Sequence, residues 1–205
     1  MRPDLGTRMK LFEKLAEKYP TPEKVQHYLY GLKYNREKDG ETQRSALSAY
    51  RKKTVHCLEA TLIAAAILEH KGYPPLILYL DSQDDLGHVI FVFKAKTGWG
   101  SVARSRDFGL HGRKPYFRSI RDLALSYYDP YIDKTGMVVG YKLLNLNESG
   151  TDWRFSARNL WKLEQYIVTA KHIKVKSSKQ RYRRLHARYL AKGELRSGKH
   201  WWFTD

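Results

Sequence analysis

Cys57-Leu58-Glu59-Ala60-Thr61-Leu62-Ile63-Ala64-Ala65-Ala66-Ile67-Leu68-Glu69-His70-Lys71-Gly72 is the stretch that decides how this chain folds. Alanine and leucine dominate it, and apolar residues occupy most of its sides rather than one stripe, so it reads as a buried helix. Gly72 suits the C-terminal turn, and Pro74 and Pro75 bar continuation. Cys57 therefore stands in the first turn. Unpaired N–H groups and the positive end of the helix dipole favour an anion there.

Downstream the pattern changes from helix to strand. Leu76-Ile77-Leu78-Tyr79-Leu80 is a short apolar run after two prolines, and Asp81 to Gly87 is turn-rich. His88-Val89-Ile90-Phe91-Val92-Phe93 is β-branched and aromatic, as a strand should be. Lys96-Thr97-Gly98 marks a hairpin turn, and Trp99 to about Ser105 a third, antiparallel strand. Arg118 to Tyr127 reads as a helix and Met137 to Leu146 as a further strand. Upstream, Leu11, Phe12 and Leu15 recur at helical spacing, and Thr21-Pro22 is an N-cap followed by proline at the first helical position. A helix is expected from Pro22 to Leu32, a loop from Tyr34 to Gln43 and a short helix from Ser45 to Lys52. Past Trp153, Phe155 to Ile173 reads as an amphipathic helix and Lys179 to Lys192 as another.

The 205 residues fit one globular domain with additions, and a hydrophobic fraction of 42% argues against wholesale disorder. One cysteine leaves no intrachain disulfide, and a lone Cys among several His is either a nucleophile or an inert buried thiol. The first ten residues are polar and charged, unlike a secretory leader, and no apolar run is long enough to span a bilayer. A soluble, cytoplasmic protein is expected. The formal charge of +17, from 38 basic and 21 acidic residues, predicts attraction to polyanions such as nucleic acid. The excess is greatest from Lys171 onward, with 11 Lys or Arg against two acidic residues. Tyr182, Tyr189, Trp201 and Trp202 interleave with these charges as in single-strand binders. The aromatic Trp201-Trp202-Phe203 could instead dock on the body.

A cysteine attacks only as thiolate, so Cys57 needs a base to take its proton and return it to the leaving group. His88 leads a strand and can meet a helix start at one edge of a sheet. The base needs an orienting group. With the hairpin turn at Lys96 to Gly98, His88 falls opposite about Ser105 or Arg106. Asp107, the carboxylate of that neighbourhood, is the expected orienter, with Ser105 second. His56 is a neighbour that could tune the thiolate, and Glu59 is expected to meet the helix N-terminus or Arg51. A metal site built from His56, Cys57 and His88 lacks the companion ligand spacing such sites show.

A Cys opening an Ala-rich helix, a His leading a strand and an acidic residue after a Gly-Trp strand resemble the transglutaminase-like superfamily, over roughly residues 43 to 107. His56-Cys57-Leu58-Glu59 with the later Pro74-Pro75 is similar to bacterial relatives within it. The resemblance implies a papain-like core, in which a Cys-bearing helix packs on an antiparallel sheet. It also implies acyl transfer through a thioester: amide or peptide hydrolysis, deamidation, or transfer to an amine. Carried over, Cys57 is the nucleophile, His88 the base and Asp107 the orienter. Many members place the acidic residue about four positions after the Gly-Trp pair, where this chain has Ala103, so a Cys–His dyad stays open. No cofactor is implied. The expected fold is α+β, with N-terminal helices and core over 1–152 and a basic helical extension over 153–205. The rival to an enzyme is a polyanion-binding protein on the same fold.

Overall fold

The computed structural model describes residues 5–193 and 202. Its helices and strands run in chain order as α1 (Leu5–Lys18), α2 (Pro22–Tyr30), β1 (Lys33–Tyr34), α3 (Ala46–Lys52), β2 (Thr54–Val55), α4 (Cys57–Leu68), β3 (Leu76–Ser82), β4 (His88–Ala95), β5 (Gly98–Val102), β6 (Arg113–Phe117), α5 (Ile120–Leu125), β7 (Val138–Asn145), α6 (Trp161–Thr169), β8 (Ile173–Lys174) and α7 (Lys179–Lys192). The fold is α+β. Six strands form an antiparallel sheet in the order β6-β5-β4-β3-β7-β8, and β1 and β2 make a small parallel pair.

The unbroken apolar runs of β3 and β4 are explained by burial on both faces of the sheet. Side chains alternate across a strand. Ile77, Tyr79, Val89, Phe91 and Phe93 join a core with α1 to α4 and α6. Leu78, Leu80, Ile90 and Val92 face a second core built from α5, the tyrosines 127, 128 and 131, and Leu185 of α7. Helix α4 lies inside the first core: every residue from Leu58 to Leu68 is buried. It closes through a 3-10 turn over Glu69–Lys71, and Gly72 takes the left-handed conformation (φ 81°) expected of a C-terminal glycine. Thr21 caps α2 by accepting from Lys24 N at 3.3 Å, with Pro22 at the first helical position.

Three elements are shorter than the sequence suggests. The strand expected to reach Ser105 ends at Val102. Ladder pairing stops there because buried Gln26 of α2 takes both backbone groups of the next residue: Ala103 N donates to Gln26 Oε1, and Gln26 Nε2 donates to Ala103 O, each at 2.9 Å. Helix α5 spans only Ile120–Leu125, capped by Ser119. The helix expected over 155–173 begins at Trp161, because the chain before it bonds to residues 43–47. Ala46 N donates to Trp153 O (3.0 Å), Leu47 N to Arg154 O (2.9 Å) and Leu160 N to Gln43 O (2.7 Å).

The expected boundary at 152/153 thus falls inside a packed region. Trp153 is fully buried, Leu163 and Ile167 of α6 enter the first core, and β8 extends the sheet beside β7. Trp202 docks on the body: its indole donates to Ser101 O at 2.9 Å and its ring stacks on Phe93. Trp201 and Phe203 lie outside the described residues. Among the described residues no helix is long and apolar enough to cross a membrane.

Candidate active site

Cys57 is the first residue of α4 and is partly exposed, whereas the rest of the helix is buried. His56 is the N-cap, in extended conformation. His88 opens β4. Gly87 before it lies against Tyr79, where a Cβ would come within 2.0 Å of the hydroxyl, so only glycine brings the chain to His88 along this path. Cys57 lines one cavity with His56 and His88, and both imidazoles act on its thiol. His56 thus joins His88, the imidazole expected from the sequence, in acting on the thiol.

Each imidazole is oriented the same way. His56 Nε2 meets Thr42 O at 2.7 Å, and His88 Nε2 meets Leu110 O at 2.9 Å. A carbonyl only accepts, so Nε2 carries the proton in both rings and Nδ1 is the nitrogen left for the thiol. Burial by itself would raise the Cys57 pKa. The hydrogen bonds to His56 and His88, and the charges of both, outweigh it and hold the thiol well below its ordinary range. Burial opposes the charged form of His56 as well, but the hydrogen bond and charge of Cys57, then Glu59 and the Thr42 carbonyl, raise its pKa to about 9. The arrangement favours a thiolate beside an imidazolium at neutral pH.

The His56 side rests on a buried carboxylate. Glu59, fully buried one turn into α4, accepts from His56 N at 3.2 Å as a capping-box residue does. It pairs with Arg44 rather than with Arg51: Arg44 Nε donates to Oε1 at 2.5 Å and Nη2 to Oε2 at 2.8 Å. The Thr42 hydroxyl and Arg44 N also donate to it. Burial raises the Glu59 pKa, but Arg44 and His56 overcome that and keep the carboxyl below its ordinary value.

The His88 side differs from expectation. Its acceptor is the Leu110 carbonyl, in the place foreseen for Asp107. Register is not the cause. Phe91 pairs with Val102, and the same register continued would set Ser105 opposite His88. The Gln26 clamp at Ala103 instead diverts the chain, and a 3-10 turn over Phe108–Leu110 returns it to the imidazole. Asp107 ends half-exposed, taking Arg106 Nε at 3.2 Å. Ser105 is buried, and its hydroxyl accepts from Asp107 N. The carbonyls flanking Leu110 are fixed by buried Arg113, whose Nη2 donates to Gly109 O at 2.6 Å and Nη1 to His111 O at 2.5 Å. That guanidinium stacks 4.0 Å over Tyr127, whose hydroxyl also donates to His111 O.

Sequence reasoning therefore missed Thr42, Arg44, Gln26 and Leu110, and gave His56 only a tuning role. His56 had a signal in its N-cap position beside the thiol. The Leu110 carbonyl had none, because every residue carries one.

Cys57, His56 and His88 open onto a cavity of about 610 Å³. Segment 153–192 completes its wall through Glu164, Ile167, Val168 and Tyr189. No family model matches the chain, and no curated protein matches it.

Proposed function

We propose that this protein is a cysteine-dependent acyl-transfer enzyme on a transglutaminase-like, papain-like core, acting on amide or peptide substrates. The observation that carries the reading is a partly exposed thiol at a helix start, set between two imidazoles whose Nε2 atoms are both committed to carbonyls. An inert core cysteine needs none of this.

In this reading Cys57 Sγ attacks the amide carbonyl carbon, forming a C–S bond, and N–H groups of the first turn of α4 face the developing oxyanion. The C–N bond breaks as His88 gives the departing amine the proton that its Nδ1 took from the Cys57 thiol. Water or a second amine then attacks the thioester and yields its proton to His88, and the C–S bond breaks to restore the thiolate. His56 supplies the positive charge that keeps Sγ ionised. Orientation of His88 comes from a carbonyl, so the site works as a dyad with a backbone orienter. The test is second-order alkylation of the full chain by iodoacetamide. Cys57 is expected to react fast at pH 6, well below the free-thiol value of about 8.5. Cys57→Ser should abolish labelling. A rate that follows a free-thiol titration would remove the enzyme reading.

A second reading rests on α7, where Arg183, Arg184 and Arg188 are exposed on a helix with one buried residue, Leu185. Such a face could neutralise phosphates without any role for the thiol. Unchanged nucleic-acid affinity, over a salt series, in a variant with these three arginines replaced by glutamine would dismiss it.

A further inference from the structure

The chain is strongly basic, yet the cavity that holds Cys57 is not. Six carboxylates line it without a lysine or arginine partner among the described ion pairs: Glu37, Glu41 and Glu164 toward His56, and Asp84, Asp85 and Asp133 toward the turn that delivers His88. A seventh, Asp107, is neutralised by Arg106, the sole Lys or Arg in the lining among the described residues. Against 38 basic and 21 acidic residues overall, this concentration runs opposite to the molecule's charge.

The six carboxylates come from four segments of the chain and share one cavity wall. Glu37 Oε1 lies 3.8 Å from His56 Nε2, and Glu164 accepts from Gln43, another wall residue whose Oε1 is buried without a partner. Asp84 and Asp133 are joined through Thr135, whose hydroxyl donates to the first and whose N–H donates to the second. Cys57, His56 and His88 line the same cavity as all six. Like charges crowd on the His56 side: burial, then the charge of Glu41, raises the Glu164 pKa. A cation entering there relieves that repulsion. Among the described residues no three His, Cys, Asp or Glu side chains are grouped to hold a metal ion. Carboxylates from four segments around one cavity suit several cationic side chains rather than one ion, and low-dielectric walls focus their field.

Building on the acyl-transfer reading, we infer that the substrate is a basic peptide segment, with lysine or arginine side chains on both sides of the amide that Cys57 attacks. The flanking cations sit against the two acidic groups, and the net charge of the rest of the molecule excludes cations that lack this local complement.

The experiment compares three hexapeptides carrying a central chloroacetamide, flanked on both sides by lysine, glutamine or glutamate. Affinity is read separately with the same peptides lacking the reactive group, by fluorescence anisotropy at about 0.15 M salt. The lysine peptide is expected to bind about tenfold tighter than the glutamate peptide, equal to about 1.4 kcal/mol, and to alkylate Cys57 faster by a similar ratio. Glu41→Gln with Asp85→Asn should lower both ratios about threefold, whereas Glu148→Gln, exposed and outside the cavity, should not. Equal binding of the three peptides, or a preference for glutamine or glutamate, overturns the inference whatever the thiol does. Lysine-selective binding without alkylation sinks the acyl-transfer reading alone and leaves a cleft for basic peptides.

Discussion

The thiol has two imidazoles, and they are held by different kinds of scaffold. Each ring meets a backbone carbonyl, Thr42 O for His56, but His56 is also fixed by side chains close in sequence: Glu59 takes its N–H, and Arg44 clamps Glu59. His88 is fixed by backbone. Its carbonyl partner belongs to Leu110, and that turn is shaped by the distant Gln26 and the buried Arg113. A side-chain scaffold concentrates its energy in one ion pair, which a single substitution can destroy. A backbone scaffold spreads it over hydrogen bonds that no change of residue type at Leu110 would remove.

The largest effect should therefore appear on the His56 side. Glu59→Ala leaves Arg44 without its carboxylate and the N-cap N–H without its acceptor. Breaking one partner of a buried pair costs about 3–5 kcal/mol. Urea or thermal unfolding of the variant should show a loss of that size. A loss below about 1 kcal/mol, the range of an exposed pair, would mean that the two scaffolds do not differ in the way described.

A pH series sharpens the contrast next. His56 is raised in the folded state from 6.5 to about 9, so its charge contributes stability that is fully present below about pH 6.5 and lost as pH climbs through about 9. Cys57 is shifted the opposite way, so its contribution is present above the ordinary value of a free thiol and lost as pH falls through its lowered folded pKa. In His56→Gln the thiolate loses the hydrogen bond and positive charge of one of its two imidazoles. The midpoint of the alkylation-versus-pH curve should move upward. A curve superimposable on that of the unaltered protein would show that His88 alone ionises the thiol, and that the His56 scaffold serves only the helix cap.

What could be read in the chain follows the same division. The α4 helix, its start at Cys57 and its end at Gly72 were legible because Ala-Leu composition, a terminal glycine and two prolines all act locally. The alternation of Ile77, Tyr79, Val89 and Phe91 against Leu78, Leu80, Ile90 and Val92 could not be assigned to two cores, since both sets are apolar. The hairpin turn at Lys96 to Gly98 gave the correct register between β4 and β5. It did not reveal that Gln26, from another helix, ends the pairing at Val102. Asp107 is the carboxylate at the right edge of the sheet, and sequence offers no means of preferring a carbonyl over a carboxylate. The acidic cavity was equally hidden, because its members come from four separate segments.

The smallest expected effect is the one that separates the two accounts of His88. If Asp107 oriented the base, Asp107→Asn would disturb its ring and slow every step in which His88 moves a proton. In the structure Asp107 is half-exposed and paired with Arg106, and exposed pairs are worth about 0–1 kcal/mol. Asp107→Asn should then leave the Cys57 alkylation rate by iodoacetamide within about twofold and the melting temperature almost unmoved. Gln26→Leu is the informative companion. It strips both partners from the buried backbone of Ala103, at about 1–3 kcal/mol for each group left unsatisfied. It also frees the 103–110 segment that carries the Leu110 carbonyl, so alkylation should slow along with the loss of stability. A variant pair behaving the other way, with Asp107→Asn slow and Gln26→Leu unimpaired, would restore the carboxylate as orienter and make the Leu110 contact incidental. Similar modest losses in both would mean that neither group governs the ring, leaving the thiolate to depend chiefly on His56.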